Sequence, residues 1–167
     1  MEQNVKCYGR EAALTVEAVT AADGSTRTVN VEAARRADAR RYDWADKLVV
    51  QVTGAELPNA LATLLGLRPA LECLHHGPGR DKGYRIEHGA AGCSVAVFAA
   101  GRGRRRVGVG PAERLALCAL LLRQLQRNHA GVPPDTLLRM LELCYGPPRG
   151  PVDGAGGAEG VPSRTGD

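Results

Sequence analysis

The sequence has 167 residues with a net charge of +4, and 44% of them are hydrophobic, which suits one domain with a buried core. No apolar run reaches the roughly 18 residues of a membrane span and no signal peptide is recognisable, so a membrane or secreted protein is not expected. Five scattered cysteines without a Cys-x-x-Cys pair predict free thiols in a reducing compartment. We therefore expect a cytoplasmic or nucleoid-associated protein, or an organellar one in a eukaryotic cell.

Alternating apolar residues predict seven short strands in the first two thirds of the chain. The predicted strands cover residues 13–20, 26–33, 47–52, 70–75, 84–88, 93–99 and 105–109. Asp23 and Gly24 form a hairpin-turn pattern between the first two strands. Thr53 and Glu56 form a capping box at the start of a predicted helix over residues 55–65.

Two further helices are predicted after the strands. A helix over residues 111–128 begins at Pro111 and is stopped by Gly131, and its apolar stripe is wide enough to require burial in the domain or in a subunit interface. A shorter helix over residues 134–144 carries its leucines on one face. Seven Gly and four Pro among residues 146–167 predict a disordered tail, because the segment has too few apolar side chains to offset its ordering entropy.

A seven-residue pattern occurs twice in the sequence, 57 residues apart. Val50–Glu56 and Val107–Glu113 are each typical of the end of a strand followed by the start of a helix. The order of strands and helix before the two segments also repeats. The sequence therefore predicts an α+β fold with two antiparallel sheets, each followed by a helix.

Residue patterns for catalysis or metal binding do not form a complete site. Cys73, His75 and His76 lie close in sequence, but no other residues have a spacing that would complete a metal site or a nucleophile pair. The Gly- and Arg-rich segment over residues 101–110 precedes a helix, but it does not match a phosphate-binding loop, and a hairpin turn explains its glycines. We therefore expect no enzyme activity, no metal and no cofactor.

Basic residues with aromatic residues between them recur along the chain. An arginine-rich segment over residues 35–41 precedes Tyr42, basic residues flank Tyr8 and Tyr84, and residues 102–106 include four arginines. Cations along the phosphates and flat rings under the bases are what single-stranded nucleic acid requires. The alternative is a solvated basic surface in a protein whose arginines reflect a GC-rich genome.

Several segments resemble the Whirly family of single-stranded-DNA-binding proteins. Tyr8–Val16 resembles the Ala-Ala-Leu-Thr-Val motif of its first strand, Arg41–Lys47 resembles its Tyr-Asp-Trp motif, and shorter matches follow at residues 53–57, 75–78 and 111–113. The resemblance implies two four-stranded antiparallel sheets packed across each other, in a tetramer that binds single-stranded DNA. It also implies a role in genome maintenance, DNA repair or transcription regulation. Kinetoplastid guide-RNA-binding proteins share the fold and bind RNA, so RNA stays an alternative.

Two departures from the family pattern are visible in the sequence. The positions of the family's two motif lysines hold Gly9 and Glu11, so contacts or assembly that depend on these lysines are not expected. The stretch between Val16 and Val29 is shorter than in the family, which predicts that one strand is missing or abbreviated.

These observations predict a non-enzymatic, homo-oligomeric single-stranded-DNA-binding protein with little sequence specificity. RNA binding or annealing is one alternative, and a protein–protein interaction module that docks a partner on the helix over residues 134–144 is another. We expect a nucleic-acid-binding domain over residues 1–131, a C-terminal helix over 132–145 and a tail over 146–167. The predicted nucleic-acid-binding residues are Tyr8, Arg10, Tyr42, Trp44, Lys47, Lys82, Tyr84, Arg85, Arg104 and Arg106.

Overall fold

The computed structural model describes residues 3–148, which form eight strands and three helices. The strands are β1 (Asn4–Tyr8), β2 (Ala12–Thr20), β3 (Arg27–Arg36), β4 (Tyr42–Gln51), β5 (Ala70–His76), β6 (Lys82–Gly89), β7 (Gly92–Ala99) and β8 (Gly103–Val109). The helices are α1 (Leu57–Leu64), α2 (Pro111–Asn128) and α3 (Pro134–Tyr145). None of the three is long and apolar enough to cross a membrane. From residue 149 onward, the predicted disordered tail lies outside the described residues.

The strands form two antiparallel four-stranded sheets in which each strand pairs with its neighbours in sequence. Sheet 1 has the order β1-β2-β3-β4 and sheet 2 the order β5-β6-β7-β8. A helix follows each sheet, so the α+β fold class and the duplicated unit predicted from the sequence are confirmed.

Sheet 1 has its full four strands, so the prediction of a missing or abbreviated strand is wrong. The short stretch between β2 and β3 is a hairpin turn in which Asp23 Oδ1 accepts hydrogen bonds from the backbone N–H groups of Ser25 and Thr26, both at 2.8 Å. The strand that the sequence analysis did not predict is β1. It has only five residues, and its pairing with β2 directs Val5 and Cys7 towards the core and leaves Tyr8 exposed.

The inner faces of the two sheets share one hydrophobic core. Leu14, Val31 and Leu48 of sheet 1 are buried together with Tyr84 and Val97 of sheet 2. β8 contacts β1, β2 and β3, so packing crosses between the sheets along this strand. Because side chains alternate between the two faces of a strand, the polar and basic residues of the same strands are directed to the outer faces.

Each of the first two helices packs on the sheet of the other repeat. α1 follows sheet 1 but contacts β5 and β6, whereas α2 follows sheet 2 but contacts β1, β2 and β3. Near the end of α2, the side-chain amide of Asn128 donates to the carbonyl of Arg27 and accepts from its N–H, both at 2.7 Å. α3 lies against both helices and buries Leu137 and Leu141. This exchange of helices joins the two repeats into one core.

The predicted reciprocal hydrogen bonds between Thr53 and Glu56 form in the turn that leads into α1, whose N-cap is Glu56. The N–H of Thr53 donates to Glu56 Oε2 at 3.0 Å, and the N–H of Glu56 donates to Thr53 Oγ1 at 3.2 Å. The helix begins at Leu57, and Pro58 lies in the first turn, where the missing N–H has no helical partner to lose.

A large bulge in β4 interrupts its pairing with β3. Ala33 pairs with Leu48, but Arg35 pairs with Asp43, so residues 44–47 of β4 have no regular partners on β3. Bulges of this kind bend a strand and change the direction of its side chains.

One buried arginine of sheet 2 binds this bulge. The side chain of Arg105 in β8 is 1% exposed. Its Nη1 donates to the carbonyl of Ala33 at 2.8 Å and to the carbonyl of Asp46, and its Nη2 donates to Asp46 Oδ2 at 2.8 Å. A single guanidinium group therefore supplies hydrogen-bond donors to the bulge of sheet 1 and links the two sheets.

Replacement of Arg105 by Met should destabilise the fold, because the buried carbonyl of Ala33 loses its side-chain donor, whereas the carbonyl of Asp46 keeps a hydrogen bond from Arg102. We expect the free energy of unfolding in urea to fall by about 1–3 kcal/mol, the cost of one unsatisfied buried group. The control is Arg104→Met on the exposed face of the same strand, which should change stability by less than about 0.5 kcal/mol. Equal losses in the two variants would contradict the link between the sheets.

Candidate nucleic-acid interface

Two tyrosine rings lie side by side on the outer face of sheet 1. The ring centroids of Tyr8 and Tyr42 are 5.8 Å apart, and the ring planes are tilted by 38°. β1 and β4 are the two edges of the sheet, so the rings reach towards each other over Ala13 and Ala34, which have no exposed surface. Tyr8 is 64% exposed, whereas the Tyr42 hydroxyl donates to the carbonyl of Gly9 at 2.7 Å. The structure brings these two predicted residues together as an aromatic pair in which Tyr8 is exposed and Tyr42 is half-buried.

Arg36 adds a cation to the tyrosine pair. Its guanidinium carbon lies 5.5 Å from the centroid of the Tyr42 ring. Its donors bind the carbonyl of Arg10 at 3.0 Å and that of Asp38 at 2.9 Å, which joins the β3–β4 loop to the β1–β2 turn. The predicted residue Arg10 is exposed in this turn and has no carboxylate partner within residues 3–148. Arg36 was not predicted, because the sequence does not tell which residue of an arginine-rich segment faces the rings.

The predicted residues Trp44 and Lys47 both lie in the bulge of β4. Trp44 is half-buried, and Lys47 Nζ donates to Glu32 Oε2 at 2.8 Å. The charge of Lys47 is therefore partly compensated by a carboxylate of the neighbouring strand.

Sheet 2 carries a second pair of a ring and an arginine on its outer face. The guanidinium carbon of Arg104 lies 5.0 Å from the centroid of the Phe98 ring. Gly83 pairs with Phe98 across the strands and leaves room for the ring, since an added Cβ would lie 2.6 Å from a ring carbon. Phe98 was not predicted, because the strand around it is apolar throughout and resembles a core strand.

Three predicted arginines share two glutamates on this outer face. Arg85 Nε lies 2.8 Å from Glu87 Oε2, and this hydrogen bond holds the pKa of the Glu87 carboxyl below its usual range. Arg106 lies 3.6 Å from Glu87, Arg104 lies 3.8 Å from Glu72, and Arg85 also lies 3.5 Å from Glu72. Three cations against two carboxylates leave one positive charge in excess, and exposed ion pairs are weak enough to exchange for phosphate.

Tyr84 and Lys82 are placed away from the outer faces. Tyr84 has no exposed surface, and its hydroxyl donates to Glu56 Oε2 at 3.3 Å beside the ring of His76. It cannot stack on a base in this structure, so Tyr84 is removed from the interface. Lys82 Nζ donates to the carbonyl of Val49 at 3.5 Å and thereby connects β6 to β4. The basic residues around Tyr84 in the sequence suggested exposure, but strand alternation directs its ring inward.

The two ring–arginine pairs lie at one end of the molecule. The β1–β2 turn (residues 9–11), the β3–β4 loop (37–41) and the β7–β8 turn (100–102) meet there, because Arg36 binds the first turn and Arg35 binds the third. Guanidinium groups outnumber carboxylates in this region. We call it the basic end; it comprises Tyr8, Arg10, Arg35, Arg36, Arg40, Arg41, Tyr42, Phe98, Arg102 and Arg104.

The segment from Cys73 to His76 has structural contacts. His76 Nε2 lies 3.0 Å from Glu56 Oε1, and burial raises the pKa of the Cys73 thiol, which lowers the fraction of reactive thiolate. Within the described part of the chain, no group of three or more His, Cys, Asp or Glu side chains is arranged to hold a metal ion.

Three solved plant structures resemble this architecture. WHY3 from Arabidopsis thaliana aligns with a TM-score of 0.55 at 21% identity, over 78% of this chain and 90% of its own. The plant transcriptional regulator PBF-2 aligns with a TM-score of 0.56 at 20% identity, over 74% and 80%. WHY1 from Arabidopsis thaliana aligns with a TM-score of 0.54 at 20% identity, over 77% and 93%. The chain has the Whirly fold. No protein-family model matches the sequence, and no curated protein matches it.

The Whirly fold explains where the two motif segments lie. Tyr8–Val16 runs from the end of β1 through the β1–β2 turn into β2, and Arg41–Lys47 covers the start of β4 and its bulge. Both segments border the basic end, and each contributes one ring of the tyrosine pair. The resemblance found in the sequence is confirmed as a resemblance of fold.

The buried phenol of Tyr84 predicts a loss of stability in alkali. Burial raises its pKa in the folded protein above the ordinary value of about 10. The stabilisation of the folded state by the neutral Tyr84 phenol is therefore complete below about pH 10. Above this pH the free energy of unfolding falls by up to about 1.4 kcal/mol per pH unit. Urea unfolding from pH 8 to 11 should show a shallower alkaline loss for Tyr84→Phe than for the wild type, whereas the exposed control Tyr8→Phe should follow the wild type. Identical profiles for all three proteins would contradict the burial of the phenol.

Proposed function

We propose that this protein binds single-stranded nucleic acid, DNA in particular, through the rings and guanidinium groups of the basic end. The observation that carries the proposal is the tyrosine pair of sheet 1, in which Tyr8 is exposed and Arg36 lies beside Tyr42. Bases of any sequence stack on such rings with about 1–3 kcal/mol each, and arginine binds the phosphates between them. The protein holds unpaired strands with little sequence specificity and performs no chemical step.

The binding surface extends over both outer faces. On sheet 1 it includes the tyrosine pair, Arg10, and Trp44 and Lys47 of the bulge. On sheet 2, Phe98 supplies a ring, and its cations are Arg85, Arg104 and Arg106. Since Lys47 and the three cations of sheet 2 already contact glutamates, phosphate replaces an existing partner at these residues, whereas Arg10 binds phosphate without such competition.

The biological role follows from a strand-binding surface without sequence readout. PBF-2 is a plant transcriptional regulator. We propose a corresponding role for this chain, in transcription regulation or in the protection and repair of exposed strands. RNA and DNA present similar bases and phosphates to the protein. A binding competition between DNA and RNA oligonucleotides of matched sequence therefore decides which of the two is preferred.

We also propose that the protein acts as a homo-oligomer, a tetramer, through α2 and α3. Leu115 of α2 is 72% exposed, and Met140 and Leu143 of α3 are 51% and 57% exposed. Large apolar side chains that remain exposed on two contacting helices are typical of an interaction surface. A second copy of the chain carries the same exposed apolar side chains and can therefore cover them symmetrically.

Removal of the Tyr8 ring should weaken binding of a short single-stranded DNA oligonucleotide. Tyr8→Ala loses a stacking contact worth about 1–3 kcal/mol, whereas Tyr8→Phe keeps the ring and should bind as the wild type does. Fluorescence of Trp44, the one tryptophan in the sequence, reports the titration. A folded wild-type protein that binds neither DNA nor RNA at low salt would contradict the proposed function and favour the protein-interaction alternative.

A charge on the exposed face of α2 should dissociate the oligomer. Leu115→Asp places a carboxylate in the proposed subunit contact, so size-exclusion chromatography with light scattering should give a smaller mass than for the wild type. The matched control is Leu74→Asp at an exposed leucine of β5, which should keep the wild-type mass. A monomeric wild type would refute the subunit contact.

A further inference from the structure

A third group of arginines lies at the seam between the two sheets. Arg35 of β3 donates to the carbonyl of Arg102 in the β7–β8 turn. Arg102 Nη2 donates to Asp46 in the bulge of β4, at 3.1 Å to its carbonyl and also to its carboxylate. The buried side chain of Arg105 binds the other carboxylate oxygen of Asp46. Two guanidinium groups, those of Arg102 and Arg105, thus bind one carboxylate, and Arg35 is joined to them through the backbone of Arg102.

The charges of this group do not balance. Asp46 is the one carboxylate in ion-pair contact with Arg102 and Arg105, and Arg102 holds the pKa of Asp46 below its usual range. Arg105 is buried and its terminal nitrogens are occupied by the bulge. Arg35 is exposed, and its one hydrogen bond within residues 3–148 goes to a backbone carbonyl. Two positive charges remain in excess, on side chains that solvent reaches.

The backbone holds Arg35 and Arg102 close together. Gly103 follows Arg102 with φ of +75°, a conformation that favours glycine, and a Cβ at this position would lie 3.4 Å from Arg35 Nη2. The glycine therefore allows the backbone conformation of the β7–β8 turn, and Arg35 binds this turn through the carbonyl of Arg102. Arginine is suited to such a place, because its planar fork binds a phosphate through two parallel hydrogen bonds.

The seam lies between the two ring–arginine pairs. Arg36, the residue after Arg35, lies over Tyr42 on sheet 1. Arg104, two residues after Arg102, lies over Phe98 on sheet 2. A strand whose bases contact rings on both sheets can therefore cross between the sheets at the seam, with its backbone beside Arg35 and Arg102.

We propose that Arg35 and Arg102 form a phosphate-binding site at the seam, which holds a phosphodiester of a single strand as it passes from sheet 1 to sheet 2. The inference rests on the proposed function and adds a defined backbone contact to it. Asp46 and Arg105 are positioning residues, since they hold Arg102 and the bulge in place and do not contact the phosphate.

Chemical footprinting of the wild-type protein tests the site without a mutation. Phenylglyoxal modifies accessible arginines, and mass spectrometry gives the extent at each one. Addition of a single-stranded DNA oligonucleotide should lower the modification of Arg35 and Arg102 severalfold. Arg139 of α3, which pairs with Glu142 away from the seam, should be modified to the same extent with and without DNA. Unchanged modification of Arg35 and Arg102 under conditions where Trp44 reports binding would overturn the seam site.

Variants test the same site through the salt dependence of binding. Arg35→Gln and Arg102→Gln remove the charges and keep polar side chains, and the double variant should reduce the slope of log K against log salt by about 0.7 for the phosphate released. At low salt the affinity should fall by up to about fivefold for each lost ion pair. Arg35→Lys should keep most of the slope, because it keeps the charge. Arg139→Gln is the matched control and should bind as the wild type does.

The outcomes distinguish the two proposals. If the wild type binds the oligonucleotide and the double variant, shown to be folded by its thermal unfolding, keeps the full slope, the seam site is wrong and the proposed function stands. If the double variant does not fold, the footprint of the wild type decides the question. If the wild type does not bind at all, the proposed function and the seam site both fail.

Discussion

The fold depends on a buried guanidinium group that belongs to one sheet and binds the other. Arg105 stands in the middle of β8 with its side chain almost fully buried, and burial lowers its pKa because the charged form loses water. The carboxylate of Asp46 compensates its charge, and two backbone carbonyls accept hydrogen bonds from it. Its Nε has no partner in the described part of the chain. A buried charge of this kind is costly, so the stability that Arg105 adds is what remains after this cost, and its main effect is the geometry of the bulge that it fixes.

What Arg105 fixes is the bulge of β4, and the bulge arranges the basic end. A regular β4 would pair along the whole of β3 and would direct its side chains alternately. Because residues 44–47 leave this pairing, Asp46 reaches the guanidinium groups of sheet 2 while Trp44 and Lys47 remain on sheet 1. The arginines around the bulge then have separate roles: Arg105 is structural, Arg36 and Arg104 lie over rings, and Arg35 and Arg102 stand at the seam.

Local patterns predicted the elements well wherever local chemistry decides them. α2 begins and ends at the predicted residues, since Pro111 opens it and Gly131 follows its end. β4 starts at Tyr42 and not at residue 47, because the bulge removes the alternation that marks a strand. Contacts between residues that are distant in the sequence were harder to predict. Tyr84 faces the core because side chains alternate along β6. Arg36 and Phe98 belong to the site because of the strand pairing and the turns around them, which no short segment of sequence reveals.

The central claim is that unpaired strands lie with their bases on the rings of the basic end, and photo-crosslinking tests it most directly. A single-stranded oligonucleotide containing 5-iodouracil is irradiated with the full-length protein, and mass spectrometry identifies the linked residues. The account predicts crosslinks to Tyr8, Tyr42 and Phe98, at the two ring–arginine pairs. Crosslinks confined to the α2–α3 face, or spread evenly over the surface without preference for these rings, would contradict it.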